Sequence, residues 1–311
     1  MSNASPRPLL GGAMVVTAAS LWGTLGLFAR LLYPLGITPL ELAAIRAAIG
    51  FIGLVLWVGA RRRRLSVRAR DLPLFVLYGF ISIALFQWAY FATLEHTTVA
   101  ISVALLYTAP AFVVVISRLF GGEALSRARL AALGMVLAGV FLVTGALRAL
   151  LSGGASISAA ALGYGLLSGL TYGMYTIFGK LAVRDHDPVE TVMLAFLFGA
   201  IALSALAPPW RPILAHPAHI PAFLLMGLLP TLAAYAIYNR ALRHLPAGTA
   251  SILATAEPVV ATLLGVFILG EALALDQVAG IALIVAAAIL IARAAGRHQP
   301  EGRHRPAAVV E

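Results

Sequence analysis

The stretch LWGTLGLFARLL, at Leu21–Leu32, returns later in the chain as TYGMYTIFGKLA, at Thr171–Ala182. A glycine, a phenylalanine, a basic residue and a leucine recur in both at positions 150 residues apart. A second pair, GGEAL at Gly121–Leu125 and LGEAL at Leu269–Leu273, lies 148 residues apart. The offset drifts slowly and in order, as an old duplication with small insertions and deletions would leave it. The chain therefore contains two copies of one structural unit.

Both copies are strongly apolar. Of the 311 residues 61% are hydrophobic and 11% are charged, whereas a soluble domain carries about 25% charged residues. So few charges do not coat a water-facing surface, which excludes a soluble enzyme, a secreted scaffold and a disordered chain. The composition indicates a bilayer as solvent. There is no cysteine, so disulfides and thiolate metal sites are also excluded.

The chain divides into ten apolar runs, each near the ~20 residues that a helix needs to cross a bilayer. Five runs fall in each copy, so the predicted units are residues 1–150 and 151–296, followed by a disordered cytoplasmic tail, 297–311. The runs lie near 9–32, 39–60, 72–94, 98–120, 128–147, 158–182, 189–208, 220–242, 247–269 and 274–294.

Basic residues give the orientation. Eighteen of the 22 Lys and Arg residues fall on the side that holds both termini, and three fall on the other side. Because positive loops stay in the cytoplasm, we predict a multi-pass protein of the bacterial inner membrane with both termini cytoplasmic. The net charge of +10 then marks topology and does not indicate nucleic-acid binding.

The odd number of runs in each copy has a geometric consequence. The second copy enters the membrane from the opposite side, which makes an all-α fold of ten transmembrane helices in two inverted five-helix repeats. Inverted repeats are typical of secondary transporters that work by alternating access, with the substrate site near the bilayer midplane between the repeats.

Three features together carry a family resemblance: SLWGTLGLFARLL in the first run, Arg46 in the second, and the Gly-Glu turns at Glu123 and Glu271 with the helices after them. With them, the chain from about 9 to 294 resembles the drug/metabolite transporter superfamily, of the EamA type. It is most similar to the bacterial YddG-type exporters of aromatic and other amino acids. The resemblance implies export of small metabolites, but these motifs are architectural and do not fix the substrate.

Two prolines lie inside predicted helices. Pro110 and Pro258 are repeat equivalents, and each frees the backbone carbonyl four residues earlier, at Leu106 and Ala254. Inside a membrane such a carbonyl is tolerated where neighbours or cavity water satisfy it. We interpret the two prolines as hinges beside the site; the alternative is a static kink.

Two charges lie deep in predicted spans. Glu257 precedes Pro258, and a charge at that depth is unfavourable by at least ~2.5–3.5 kcal/mol on insertion scales. It binds a substrate ammonium, titrates, pairs with Arg46, or stays neutral and hydrogen-bonded. Arg46 either anchors a carboxylate or extends to the outer interface. Their repeat equivalents are Ala109 and Ala195, so these charges break the symmetry.

Aromatic and polar side chains gather around the proline breaks and in the first helix of each copy. Rings with hydroxyl groups suit a cavity for an amphiphilic solute, including an aromatic one; the alternative is an interfacial belt or contacts between helices. The predicted cavity residues, besides Glu257, are Trp22, Thr24, Gln87, Tyr90, Tyr107, Thr108, Tyr172, Tyr175, Thr176, Tyr235, Tyr238, Asn239 and Thr255.

Other notable residues have structural explanations. Glu41 and Glu190 each follow a cap residue and a proline, the pattern of a helix start, and Glu123 and Glu271 organise turns. Small residues in the fifth and tenth runs predict close packing of helices at the periphery. They are Gly134, Gly139, Gly145 and Gly280.

No catalytic motif is present: the sequence has no HExxH, GxSxG or Walker A pattern. We therefore predict a non-enzymatic transporter without metal or cofactor, a monomer or weak homodimer whose partners are a small-molecule substrate and the lipid bilayer. The leading function is secondary export or facilitated transport of amino acids, including aromatic ones. The alternatives are a multidrug (lipophilic-cation) or nucleotide-sugar carrier and, from another class, an intramembrane enzyme. The first run has no carboxylate before Arg30, which argues against the proton antiport of the related small multidrug transporters and leaves Glu257 as the deep candidate for proton coupling.

Overall fold

The computed structural model describes residues 7–61, 67–153 and 157–296, and the regular elements in these ranges are all helical. The tail predicted at 297–311 lies outside the described residues. Ten helical stretches of 17 or more residues follow one another in the described chain. They are α1 (Pro8–Leu35), α2 (Pro39–Ala60), α3 (Ala69–Leu94), α4 (Val99–Gly121), α5 (Arg127–Val143), α6 (Ala159–Asp185), α7 (Pro188–Leu206), α8 (Pro217–Ala241), α9 (Ala247–Leu269) and α10 (Leu275–Gly296).

Eight of these stretches, all except α5 and α6, are long and apolar enough to cross a membrane. The chain is therefore an all-helical, multi-pass membrane protein. The crossings by α5, of 17 residues, and α6, of 27 residues, stay predictions. Two short helices lie in connections, Ala146–Leu151 after α5 and Trp210–Ala215 after α7.

Five of the long stretches change their winding along their length. α1 divides into Pro8–Gly23, Leu25–Leu32 and the 3₁₀ turn Tyr33–Leu35. α3 divides into the 3₁₀ turn Ala69–Asp71, the helix Leu72–Gly79, the π-helical turn Phe80–Leu85 and the helix Phe86–Leu94. α8 divides into the 3₁₀ turn Pro217–His219, Ile220–Gly227, the π-helical turn Leu228–Ala233 and Ala234–Ala241. α4 is broken into Val99–Leu106 and Ala109–Gly121. α9 is broken into Ala247–Ala254 and Ala256–Leu269.

The helix starts follow their sequence signals. Thr38 and Glu41 form a reciprocal capping box at α2: the Thr38 N–H donates to Glu41 Oε2 at 2.8 Å, and the Glu41 N–H donates to Thr38 Oγ1 at 3.2 Å. At α7 the N–H of Val189 donates to Asp187 Oδ1 at 2.9 Å. The predicted structural role of Glu41 is confirmed, since its carboxylate satisfies a backbone N–H that has no partner inside the helix.

The two halves exchange their first helices. α1 packs against α8 and α9 of the second half, whereas α6 packs against α3 and α4 of the first half. α2 packs along α7, and α5 packs along α10. This arrangement leaves a space between α1, α2, α3, α4, α6, α8 and α9, where the site described below lies.

The contact between α5 and α10 depends on two glycines. A Cβ on Gly280 would lie 2.5 Å from the carbonyl oxygen of Gly139, and a Cβ on Gly139 would lie 2.8 Å from that of Gly280. The prediction of close packing is correct for this pair. It is wrong for Gly134, which has no neighbour within 4 Å of such a Cβ, and for Gly145, which has a positive φ of 74° after α5 and no such neighbour either. Their identity reflects an exposed helix face and a left-handed turn.

The two kinds of helix glycine predict opposite effects for one substitution. Gly280→Ala should lower the free energy of unfolding by about 1–3 kcal/mol, because the helices must move apart to admit the methyl group. Gly134→Ala should leave it unchanged or raise it by up to ~1 kcal/mol, since alanine favours the helix and meets nothing. Thermal unfolding of the purified protein in detergent measures both; equal effects would show that the glycine contact does not hold α10 on α5.

Candidate functional site

One large cavity lies at the centre of the helices. Its volume is about 650 Å³, and its lining comes from both halves of the chain. It reaches the end of the bundle where the α1–α2, α3–α4 and α9–α10 connections lie, which we call the Glu271 end because Glu271 lines it there. The opposite end, with the α4–α5 and α8–α9 connections, is called the Glu123 end.

Glu257 lies in the cavity wall beside the break in α9. The first part of α9 ends at Ala254, four residues before Pro258, where the proline leaves a backbone carbonyl without its helical partner. The Glu257 carboxylate accepts a hydrogen bond from the Tyr172 hydroxyl at 3.1 Å, and the Tyr107 hydroxyl also interacts with it. The acid is therefore held by two phenols and faces the open volume.

Arg46 lies in the same cavity, on α2. Its Nη1 is buried and has no hydrogen-bond partner, whereas the rest of the guanidinium interacts with the Tyr235 hydroxyl and the side chain lies beside Gln87. A buried charged donor without a partner is uncommon in folded proteins and calls for an explanation. Since Arg46 lines the cavity that Glu257 also lines, the cavity presents a guanidinium and a carboxyl group to whatever enters it, with a second carboxylate, Glu271, at its open end.

Four aromatic rings close the cavity toward the Glu123 end; we call Trp22, Tyr175, Tyr235 and Tyr238 the aromatic plug. The Trp22 ring lies 5.0 Å from Tyr235 and 5.2 Å from Tyr238, and the Tyr175 ring lies 4.9 Å from Tyr235, centroid to centroid. The space among these rings measures about 20 Å³, close to the size of one water molecule. The cavity is thus accessible from one end and blocked at the other.

Hydrogen bonds fix the plug. The hydroxyl groups of Thr176 and Tyr238 lie 2.7 Å apart. Asn239 Nδ2 donates to the Tyr175 hydroxyl at 2.6 Å, and the Tyr78 hydroxyl donates to Asn239 Oδ1 at 3.3 Å. These contacts join α3, α6 and α8, so the rings are held by side chains from both halves.

The structure brings together most of the predicted cavity residues. Those that line the large cavity are Trp22, Arg46, Gln87, Tyr90, Tyr107, Tyr172, Tyr235, Glu257 and Pro258. Those that line the small space at the plug and not the large cavity are Pro110, Tyr175, Thr176, Tyr238 and Thr255.

Three predicted residues have other partners. The hydroxyls of Thr24 and Thr108 donate to carbonyls of their own helices, at Leu21 and Leu105. Asn239 is fully buried and holds the plug from behind. Threonine commonly bonds to a carbonyl of its own helix in this way, and the sequence does not show which way the side chain turns.

Several lining residues were missed from the sequence. Tyr33, Phe86 and Gln277 line the large cavity, and Tyr78 supports the plug. Tyr33 lies at the end of its helix, where an interfacial role is the ordinary expectation. The others lie near no break and no deep charge, so the sequence carries no signal for them.

A family model now identifies the family of the chain. The model described as the EamA-like transporter family matches residues 9–145 and, a second time, residues 159–293. The chain belongs to this family. The predicted membership of the EamA type is thereby confirmed.

Proteins of similar sequence are transporters by name. An uncharacterized transporter of Archaeoglobus fulgidus is 28% identical over 288 residues, which cover 89% of this EamA-family chain and 94% of that protein. The uncharacterized transporter YwfM of Bacillus subtilis is 30% identical, covering 87% and 90%. The threonine/homoserine exporter RhtA of Escherichia coli K12 is 30% identical, covering 88% of each chain.

The fold is also found in a solved crystal structure. That protein superposes with a TM-score of 0.76 at 21% identity, and the match covers 94% of this chain and 100% of the other. This likeness supports the helical architecture of the EamA-like transporter chain and carries no information about its substrate.

The unpartnered Nη1 of Arg46 predicts a stability change. Arg46→Met should keep or raise the free energy of unfolding in the absence of substrate, by up to about 1–3 kcal/mol, because it removes a buried donor that has no hydrogen-bond partner. Arg118→Met, an exposed arginine of α4, is the control and should change it by less than ~0.5 kcal/mol. A marked fall in the unfolding temperature for Arg46→Met alone would make Arg46 a structural residue instead.

Proposed function

We propose that this EamA-like protein is a secondary transporter that exports amino acids, including aromatic ones, across the bacterial inner membrane by alternating access. The observation that carries the proposal is that Arg46 and Glu257 line the same cavity, which is accessible from one end only. The two charges match the two charges of an amino acid.

The chemistry assigns each group a partner. The guanidinium of Arg46, with Nη1 unpartnered, binds the substrate carboxylate through charge-assisted hydrogen bonds. The Glu257 carboxylate binds the ammonium group, while the hydroxyls of Tyr172 and Tyr107 hold it in place. Tyr90, Tyr235 and other rings line the remaining wall and receive an apolar or aromatic side chain.

The relatives favour this substrate class over the alternatives. RhtA is named as an exporter of threonine and homoserine, which are amino acids. A lipophilic cation would leave Arg46 unpaired next to it, and a nucleotide sugar would need basic groups in the cavity beyond Arg46. An intramembrane enzyme would need a paired set of reacting groups, and the groups lining the cavity do not supply one.

Alternating access follows from the architecture that we propose. α5 and α6 also cross the bilayer, which gives ten crossings in two inverted halves, 1–150 and 151–296, with both termini cytoplasmic. The two matches of the family model and the exchanged packing of α1 and α6 support this topology. The breaks before Pro110 and Pro258 are the hinges about which the halves rock, and the Glu271 end faces outward.

Flux through liposomes tests the substrate and the site together. Reconstituted protein should exchange radiolabelled free amino acids, and Arg46→Gln and Glu257→Gln should each reduce flux about tenfold or more, because each removes a hydrogen bond to a charged group. Arg118→Gln and Glu95→Gln make the same charge changes on exposed residues and should leave flux unchanged.

Substrate analogues separate the two roles. N-acetylated amino acids lack the ammonium and amino acid amides lack the carboxylate, so wild-type flux of both should be low. Glu257→Gln should lose discrimination against the acetylated form only, and Arg46→Gln against the amide only. If no amino acid is exchanged, or if acetylated and free forms move equally through the wild type, the proposed substrate class is wrong.

A further inference from the structure

Two contacts hold the Glu123 end closed. The carboxylate of Glu123, in the turn after α4, accepts hydrogen bonds from the N–H groups of Ala247 at 2.6 Å and Gly248 at 3.3 Å. Arg129 Nη1 donates to the same carboxylate at 3.1 Å, and both charged side chains are largely buried, with 15% and 12% exposed. An anion at the first N–H groups of a helix is favourable, so the first half holds the start of α9.

The second contact holds the end of α8. Lys180 Nζ, on α6, donates to the carbonyl of Leu242 at 2.5 Å and to that of Leu245 at 2.7 Å. A cation at the last carbonyls of a helix is favourable for the corresponding reason. The connection from α8 to α9 is therefore held at both of its ends. Lys180 binds carbonyls at the end of α8, and Glu123 binds N–H groups at the start of α9.

The repeat provides the same four parts at the other end. Glu271 is the equivalent of Glu123, at an offset of 148 residues, and Arg30 is the equivalent of Lys180, at an offset of 150. The backbone groups that correspond are the N–H groups of Val99 and Ala100 and the carbonyls of Leu94 and Thr97.

At this open end the contacts are different. Arg30 and Glu271 bind each other, and both side chains are much more exposed than their equivalents, at 61% and 45%. Val99, Ala100 and Glu271 all line the cavity. An exposed ion pair of this kind is weak and easily broken. Both ends therefore carry the same acid, base and backbone groups. At the Glu123 end the acid and the base bind the backbone groups, whereas at the Glu271 end they bind each other.

We infer that Glu271 and Arg30 form the second gate of the transporter. When the cavity closes at the Glu271 end, their ion pair separates, Glu271 binds the N–H groups of Val99 and Ala100, and Arg30 binds the carbonyls of Leu94 and Thr97. Glu123 and Lys180 release α9 and α8 in the same step. This inference rests on the proposed alternating access, and it assigns the four residues that carry the exchange.

The lack of native cysteine allows a direct test. Gly26 lines the cavity, and a Cβ there meets nothing within 4 Å. Gly26→Cys therefore reports access from the Glu271 end through its rate of reaction with a charged thiol reagent. In this background, Glu123→Gln should slow labelling about fivefold or more. The substitution weakens the contacts that close the Glu123 end, so it favours the state in which the Glu271 end is closed and Gly26→Cys is inaccessible.

A double variant isolates the role of Glu271. Glu123→Gln with Glu271→Gln should restore labelling to within about twofold of the Gly26→Cys parent, because both gates are then weakened alike. Asp276→Asn removes another ion pair at the same end, with Arg148, and should leave labelling unchanged in both backgrounds. Labelling in denaturant and the unfolding temperature identify any variant that fails to fold.

The outcomes separate this inference from the proposed function. If Glu123→Gln leaves labelling unchanged, or if the double variant labels as slowly as Glu123→Gln alone, the gate assignment is wrong. The assay needs no substrate, so an absence of amino acid flux would overturn the substrate class and leave the gate result readable. Normal amino acid flux without any labelling change would overturn the gate alone.

A separate observation concerns the outer surface of the bundle near the Glu123 end. A groove of about 440 Å³ runs between α1, α9 and α10, from Leu9 and Leu245 to Val260 and Ile284, and its lining is almost wholly apolar. Along α9 it spans Thr249 to Val260, roughly 17 Å at 1.5 Å per residue. That is close to one leaflet of a ~30 Å hydrocarbon core.

Basic groups adjoin the end of this groove. Arg7 and His244 directly precede two of its lining residues, Pro8 and Leu245, and His244 Nδ1 is buried without a hydrogen-bond partner. The pKa of His244 is lowered from its ordinary value, first by burial and then by nearby basic residues, namely Arg240, Arg7, Arg243 and Lys180. The charges that act on this imidazole are therefore cationic, which favours an anion at the mouth of the groove.

The geometry points to a binding site for one anionic phospholipid, with an acyl chain in the groove and the phosphate at Arg7 and His244. The inner end of the groove is formed by Thr255, Ala256 and Val259, beside the break in α9 and next to Glu257. A lipid bound there contacts the backbone of the hinge from the membrane side.

Thermal unfolding in mixed micelles tests this site. Phosphatidylglycerol should raise the unfolding temperature by several degrees more than phosphatidylcholine does. Arg7→Gln and the groove-filling Gly12→Phe should each remove at least half of that difference. Arg118→Gln and Gly163→Phe make the same changes on exposed helix positions outside the groove and should keep it. Equal shifts with both lipids, a full difference in both test variants, or a full shift with glycerophosphoglycerol alone would overturn the site.

Discussion

A backbone carbonyl that loses its helical partner inside a bilayer must find another donor or face a water-filled space, because hydrocarbon offers neither. Pro110 and Pro258 create this need inside two helices that are long and apolar enough to cross a membrane, and both helices break about one turn before the proline. Both breaks adjoin the site, since Leu106 lines the large cavity and Ala254 lines the small space at the plug. Glu257, beside the second break, is tolerable there because its carboxylate meets two phenols and open volume instead of lipid.

The helices occur in two copies, but the two deep charged residues of the cavity occur only once each. Arg46 and Glu257 have alanines, Ala195 and Ala109, at the equivalent positions of the other half, and both alanines are buried. A symmetric pair of charges would place two like charges near one another, which is unfavourable at low dielectric. The asymmetry gives the cavity a guanidinium on one side and a carboxyl group on the other, which under the proposed function would orient a zwitterionic substrate in one direction.

The sequence alone predicts the helices well, because length and hydropathy determine them locally. The run predicted at 39–60 is the helix Pro39–Ala60, and the Thr38–Glu41 capping box forms as its pattern indicates. The two proline breaks are also placed correctly, because the missing N–H acts within one turn. These features depend on residues that are neighbours in the chain.

What depends on contacts between helices is predicted less well. Gly139 and Gly134 look alike in the sequence, but only Gly139 meets another backbone. Thr24 and Thr108 lie near the site and still bond to their own helices. The different contacts of Glu123 and Glu271 are likewise invisible in the sequence, because the two residues occupy the same repeat position and differ only in which groups the fold brings to them.

The π-helical turns carry information of another kind. Phe80–Leu85 and Leu228–Ala233 occupy the same repeat positions, 148 residues apart, although their sequences, FISIAL and LLPTLA, have little in common. A π-turn is what a helix forms when it accommodates one extra residue. Two independent insertions at one position are far less economical than one insertion copied along with its surroundings. The shared position therefore indicates that the wider turn belongs to the repeated unit of the chain.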